Sequence, residues 1–95
     1  MPGYNRAELT AELKVLASSD SEMDPKEQIE AARRVAGYSG LAREAGPETT
    51  ALAGGRSEVL DAVLKVIEAS LDAGAQAVQV NVETEGDSRR FDGGG

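Results

Sequence analysis

Cysteine and histidine are both absent from the 95 residues of the chain. Without cysteine there can be no disulfide, no thiolate metal site and no cysteine nucleophile. Without histidine the chain lacks the commonest acid–base group and metal ligand at neutral pH. Catalysis would have to use carboxylates, lysine or hydroxyl groups. We therefore expect no catalytic residue, no metal and no cofactor, and we interpret the protein as one that is not an enzyme.

Positive charge and long apolar runs are also scarce. The chain contains ten Lys and Arg residues and 17 Asp and Glu residues, which gives a formal net charge of −7. A phosphate backbone would be repelled by such a chain, so we expect no nucleic-acid partner. No apolar run approaches the length of a signal peptide core or a membrane span, and the first ten residues are largely polar. We expect no membrane partner and a cytoplasmic location.

Aromatic residues are few, namely Tyr4, Tyr38 and Phe91, and much of the apolar content is alanine. The length suits one domain with a thin core, which favours assembly into a homo-oligomer. We predict a single domain over residues 8–85. It is expected to lie between a flexible lead-in, residues 1–7, and a flexible tail, residues 86–95, which ends in three glycines.

The strongest periodicity lies between Ser57 and Glu85. Apolar or small residues recur there at three- and four-residue steps, which predicts a helix with one buried face: Val59, Leu60, Val63, Val66, Ile67, Ser70 and Leu71. Ser57 is the predicted N-cap, and Gly74 suits a left-handed helix end. After Gly74, Val78, Val80 and Val82 alternate with polar residues, which predicts a strand with one dry and one polar face.

The first half of the chain predicts a strand and then a helix. Apolar and polar residues alternate from Glu8 to Leu16, which is typical of a half-buried strand, although the abundance of good helix formers leaves a continuous first helix as the alternative. Asp24 as N-cap, Pro25 at the first helical position and Glu27 two residues later form a helix start with a predicted capping box. Gly37 and Gly40 are two possible ends.

Gly46 and Pro47 then predict a turn between two short strands. The resulting order is strand, helix, strand, strand, helix, strand. With right-handed crossovers, this order gives an α+β fold, the ferredoxin-like βαββαβ sandwich, with a four-stranded antiparallel sheet and both helices on one face. The uncovered sheet face would be lined by polar residues, namely Thr10, Glu12, Lys14, Gln79, Asn81 and Glu83.

Several segments together resemble the small thiamine-binding protein family, from about Leu9 to Glu85. They are ELKVL, SGLAREAGPETTALAGG and SEVLDAVLKVIEASLDAGAQAV. Within them Gly46, Pro47, Thr50 and Gly54 fall on the family's Gly-Pro-x-x-Thr-x-x-x-Gly pattern. The resemblance implies a ferredoxin-like fold, dimers or tetramers formed through the sheets, and a pocket for thiamine or its hydroxymethylpyrimidine half without a catalysed reaction. The chain departs from the family pattern in three places: at Glu48, at Ala53, and at the end of the last strand, where Val82 is followed by ETEGDSRR.

An aminopyrimidine requires an acceptor for its amine, partners for its ring nitrogens and a flat apolar wall. Glu44 and Thr50 lie on opposite arms of the predicted hairpin and outside the predicted apolar core, and Ser39 and Asn81 are further candidate ligand-binding residues. Each has a simpler interpretation: Glu44 as a solvated edge charge, Thr50 as a strand former, Ser39 as a helix-end residue, and Asn81 as a polar residue at a subunit contact.

Two other patterns are weaker indications of function. Glu12 and Glu83 could be read as paired carboxylates, but Lys14 nearby favours an ordinary ion-paired surface. Gly54 and Gly55 precede a helix without the lysine of a phosphate-binding loop. Three functions stay open: a binding module for thiamine or a pyrimidine precursor, a self-assembling structural or regulatory subunit, and an enzyme on the same fold, such as a cofactor-free monooxygenase.

Overall fold

The structure, a computed structural model, describes residues 8–84, and for residues 43–45 the description is confined to the backbone. The predicted lead-in, residues 1–7, and the predicted tail, residues 86–95, lie outside the described residues, as does residue 85. Neither helix of the described part is long and apolar enough to cross a membrane.

The order of the helices and strands is the predicted one. The elements are β1 (Leu9–Leu16), α1 (Pro25–Ser39), β2 (Ala42–Ala45), β3 (Thr49–Gly54), α2 (Arg56–Asp72) and β4 (Ala77–Thr84). The first segment is a strand, so the alternative of a continuous first helix is wrong. Its period-2 alternation outweighed the helix propensity of its residues, because that alternation buries one complete face.

The strands form one sheet in the order β2-β3-β1-β4, and each neighbouring pair is antiparallel. The three longer strands make up its regular part, whereas β2 is a four-residue edge strand whose pairing with β3 contains a register shift. Helix α1 contacts β2 and β3, helix α2 contacts β1, β3 and β4, and the two helices pack against each other. This is an α+β pattern compatible with a ferredoxin-like sandwich.

The core lies between the helices and one face of the sheet. Its strand residues are Leu9, Ala11, Leu13 and Val15 of β1 and Leu52 of β3, and its helix residues include Ala32, Ala36, Val59, Ala62, Val63 and Val66. The other sheet face carries exposed polar side chains at Glu12, Lys14, Gln79, Asn81 and Glu83, as predicted. The alternation of apolar and polar residues in β1 therefore predicts correctly which face of the sheet the helices cover.

Two predictions about buried faces are wrong. Leu60 and Leu71 of α2 are exposed, although the helical pattern assigned them to the buried side. On β4, Val80 and Val82 are 39% and 41% exposed, so the predicted dry face is only partly covered. The reason is the position of the helix: β4 is an edge strand, and α2 packs mainly over β1 and β3. The outer side of α2 therefore extends beyond the core.

The first helix begins where the sequence predicts but without the predicted capping box. Asp24 is the N-cap and Pro25 the first helical residue, yet the Asp24 side chain makes no capping hydrogen bond. The helix ends at Gly40, whose φ of +76° is a left-handed conformation that glycine adopts without strain, and Gly37 lies inside the helix.

The second helix is capped from a distant part of the chain. It begins at Arg56 with Gly55 as N-cap, so the prediction of Ser57 is wrong. The carboxylate of Glu8 accepts a hydrogen bond of 2.8 Å from the Arg56 N–H. A carboxylate is favoured here because the first N–H groups of a helix lack partners and carry partial positive charge. Gly74, with a φ of +102°, follows the helix end as predicted.

Gln28 organises the loop between β1 and α1, and its side chain is fully buried. The Gln28 amide nitrogen donates to the carbonyls of Ser18 and Met23, both at 2.8 Å. The Gln28 amide oxygen accepts from the Ser18 N–H at 2.9 Å. Three hydrogen bonds therefore hold this loop against the start of α1 and satisfy a buried polar group.

Candidate functional site

The β2–β3 turn is anchored to α1. Within the turn, the Gly46 N–H donates to the Thr49 carbonyl at 3.0 Å. The Arg33 guanidinium of α1 donates to the carbonyl of Gly46 and, at 3.3 Å, to that of Pro47. The turn predicted from Gly46 and Pro47 is confirmed, and Arg33 fixes its position relative to the helix layer.

Thr50 and Asn81 lie on opposite faces of the sheet. Thr50 pairs with the buried Leu13 and is 4% exposed, so it faces the helices. Asn81 pairs with the exposed Glu12 and donates to the carboxylate of Glu83 at 3.2 Å on the open face. The structure therefore does not bring these two predicted site residues together. Thr50 is thus buried, although it is not one of the residues of the apolar core.

Ser39 lies at the C-terminal end of α1 and stabilises that end. Its hydroxyl donates to the Ala36 carbonyl at 2.6 Å and accepts from the Leu41 N–H at 3.0 Å. This agrees with the simpler interpretation of Ser39 as a helix-end residue, and it leaves the hydroxyl one further acceptor position. The side chain of the fourth predicted residue, Glu44, lies outside the described part. A ligand-binding role for these four residues stays a prediction.

A cleft of about 400 Å³ opens between the C-terminal half of α1 and the N-terminal half of α2. Its walls combine apolar and polar side chains: Val35, Tyr38, Ser39, Leu41, Glu58, Asp61, Ala62 and Lys65. A concave site between packed helices, with an apolar floor and a few polar groups, is a common setting for a small ligand. Of the three predicted site residues whose side chains the structure describes, Ser39 lines the cleft, whereas Thr50 and Asn81 do not.

The polar groups of the cleft favour a positively charged or amine-bearing ligand. Glu58 and Asp61 contribute two carboxylates on one side. The Lys65 ammonium lies 3.2 Å from the Asp61 carboxylate, one helical turn away, but both side chains are largely exposed. Such a pair is weak in water, and a ligand amine can compete with it for the Asp61 carboxylate.

An exposed aromatic ring stands at the rim of the cleft. Tyr38 is 79% exposed, although a tyrosine ring is usually at least half buried. A flat ligand can stack on this ring, and a cationic one gains a cation–π contact in addition. In the described part, no cluster of three acidic side chains could hold a metal ion.

Sequence reasoning did not single out Tyr38, Glu58 and Asp61, which line this candidate cleft. A signal for Tyr38 was present, because it falls nine residues after Ile29 and therefore on the side of α1 opposite the apolar stripe. An aromatic ring on the polar side of a helix is a candidate contact for a ligand. Glu58 and Asp61 carried no comparable signal, since acidic residues are ordinary on an exposed helix surface.

No protein-family model and no curated protein matches the chain. Several solved structures are similar to it. A domain of unknown function, DUF77, from Bacillus cereus is 23% identical with a TM-score of 0.60, over 90% of this chain and 82% of that one. Protein SP2199 from Streptococcus pneumoniae is 19% identical with a TM-score of 0.66, over 92% and 96% of the two chains.

A third similar structure comes from Thermotoga maritima and is described as a "putative thiamine biosynthesis/salvage protein". It is 20% identical with a TM-score of 0.62, over 86% of each chain. At these identities the three comparisons show the fold alone. The chain shares an α+β architecture with proteins of which one has been connected with thiamine.

Proposed function

We propose that this protein is a non-enzymatic, ferredoxin-like binding protein for a small, flat, positively charged or amine-bearing heterocycle, and that thiamine or its hydroxymethylpyrimidine half is the ligand. We place the ligand in the cleft between α1 and α2. The observation that carries the proposal is the combination of the exposed Tyr38 ring with the carboxylates of Glu58 and Asp61 around one cleft.

The chemistry of thiamine fits these groups. Its thiazolium ring is a flat cation that can stack on Tyr38, and its aminopyrimidine carries an exocyclic amine that can donate to a carboxylate. The free acceptor position of the Ser39 hydroxyl offers a further partner for that amine. The family resemblance of the sequence and the name of the Thermotoga maritima protein support the same ligand class.

Binding without a reaction is supported by the composition. The chain has no histidine and no cysteine, so the side chains that most often act as bases and nucleophiles near pH 7 are missing. The partner in this proposal is a small molecule. It requires neither a nucleic acid nor a membrane, in line with the net charge of −7.

Calorimetric titration with thiamine and with hydroxymethylpyrimidine tests the proposal. We expect saturable binding and no change in the recovered ligand. A ligand at a hundredfold excess over its Kd stabilises the folded state by about 2.7 kcal/mol, which raises Tm by roughly 10 °C or more for a domain of this size. Absence of binding and of any Tm shift at millimolar ligand would contradict the proposal.

Matched variants locate the site. Tyr38→Ala and Asp61→Asn should each weaken binding by about tenfold or more, because they remove a stacking surface and a charged acceptor. Glu30→Gln, the same loss of charge at an exposed position of α1 outside the cleft, should leave the affinity unchanged. Thr50→Val removes the hydroxyl on the hairpin side. If only Thr50→Val abolished binding, the ligand would lie at the hairpin and the cleft assignment would be wrong.

A further inference from the structure

The charges around the cleft between α1 and α2 are mainly negative. The described side chains that line it include two carboxylates, those of Glu58 and Asp61, and one cation, Lys65. The Lys65 ammonium lies 3.2 Å from the Asp61 carboxylate, so its charge is already paired. A ligand that enters the cleft therefore meets a field that attracts cations and repels anions.

The beginning of α2 is the other feature beside the cleft that could attract an anion. The first N–H groups of a helix carry partial positive charge and commonly bind phosphate. Here the Arg56 N–H already donates to the Glu8 carboxylate at 2.8 Å. The Glu58 carboxylate lies so close to Gly55, the N-cap, that a Cβ added to this glycine would meet its Oε1 at 2.7 Å. Two carboxylates of the chain itself therefore occupy the helix start, where a phosphate would otherwise bind.

Phosphorylation reverses the net charge of the ligand that we assign to this cleft. Thiamine is a cation because of its thiazolium ring, whereas a phosphate monoester adds a charge of about −1.5 to −2 at neutral pH. Thiamine monophosphate is therefore a net anion with the same two rings. Both forms can make the same stacking contact with Tyr38, so the cleft can distinguish them by charge.

The repulsion acts over the whole cleft. Within a volume of about 400 Å³, no group of a bound ligand lies much farther from the two carboxylates than a Debye length of about 8 Å, so salt screens the repulsion only in part. The phosphate could gain Lys65 only by separating it from Asp61. That exchange would leave the Asp61 carboxylate unpaired beside the phosphate, so it offers no net advantage to the ester.

We propose that the cleft binds the unphosphorylated form of its ligand and rejects the phosphate esters, with Glu58 and Asp61 as the specificity-determining residues. The inference rests on the proposed function, because it concerns which form of that ligand the cleft accepts. Phosphorylation of the ligand releases it from the protein. A phosphatase that hydrolyses the ester supplies the form that binds.

Calorimetric titration of the full chain with thiamine and with thiamine monophosphate tests the inference. At low ionic strength the monophosphate should bind about tenfold more weakly or worse, and added salt should reduce the ratio of the two Kd values. If the monophosphate bound as tightly as thiamine or more tightly, thiamine binding would stand and the inference would be wrong. A ratio independent of salt would show exclusion by shape and would also overturn it. If neither compound bound, the proposed function and the inference would both be wrong.

Removing the two carboxylates tests their role. The double variant Glu58→Gln, Asp61→Asn should bind thiamine more weakly and the monophosphate more tightly, because it also frees Lys65, and the ratio of Kd values should fall by about tenfold or more. The matched control is Glu12→Gln, Glu30→Gln, which removes the same charge from exposed positions outside the cleft and should leave the ratio unchanged.

Circular dichroism establishes that each variant is folded before its affinities are compared. An unchanged ratio in the folded cleft variant would contradict the inference, as would an equal decrease in the control. If the double variant did not fold, Asp61→Asn alone and the salt dependence of the wild-type ratio would give the decision by the same criteria.

Discussion

Replacing Gln28 by alanine tests whether its buried amide holds the loop between β1 and α1. The substitution removes three hydrogen bonds, two to the Ser18 backbone and one to the Met23 carbonyl. Each contributes about 1 kcal/mol net. Alanine is a slightly better helix former than glutamine, which offsets a few tenths of a kcal/mol. We therefore expect a loss of about 2–3 kcal/mol in the free energy of unfolding.

Urea and thermal denaturation measure this loss. For a domain of this size it corresponds to a decrease in Tm of roughly 10–20 °C. Gln28→Glu keeps the side-chain volume and one acceptor oxygen, but it loses the amide NH2 group that donates to two carbonyls. Because it also buries a charge, we expect it to destabilise the folded state at least as much. Gln76→Ala, at an exposed glutamine, is the control and should change little. If Gln28→Ala stayed within about 0.5 kcal/mol of wild type, the loop would not depend on this amide.

Three further substitutions test other contacts by denaturation. Gly74→Ala should cost about 1–2 kcal/mol, because φ is +102° and a new Cβ would collide with the Ser21 side chain; equal stability would mean that the loop moves freely. Glu8→Ala should lower the free energy of unfolding by about 1 kcal/mol, because the hydrogen bond from the Arg56 N–H is lost. Unchanged stability would mean that water can replace the Glu8 carboxylate as the partner of that N–H. Val63→Asp should prevent folding, since an unpaired charge would enter the core, and a cooperative thermal transition near wild type would refute this assignment.

Local signals in the sequence predicted the elements well. The alternation in β1 and the Asp24-Pro25 helix start depend only on neighbouring residues, and both are confirmed. Features that depend on distant residues were missed. The cap of α2 comes from Glu8, 48 residues before Arg56, whereas Ser57 looked sufficient locally. Gln28 resembles any polar helix residue until the loop that surrounds it is known.

The candidate site was predicted less well, for a geometric reason. The side of the sheet on which a strand residue lies depends on the register between strands, and a sequence does not state that register. Thr50 and Asn81 were therefore grouped although they face opposite sides. Similarly, the apolar residues of α2 span a wide arc, and only the position of the sheet beneath the helix decides that Val59 is buried and Leu60 exposed.

The two ends of the sheet differ in how readily an additional strand could pair with them. At one end β2 has four residues and a shifted register with β3, which makes it a poor template for another strand. At the other end β4 has eight residues and pairs with β1 without a register shift. An additional strand, from whatever source, would therefore pair with β4 in preference to β2, and the sheet is extendable at one end rather than at both.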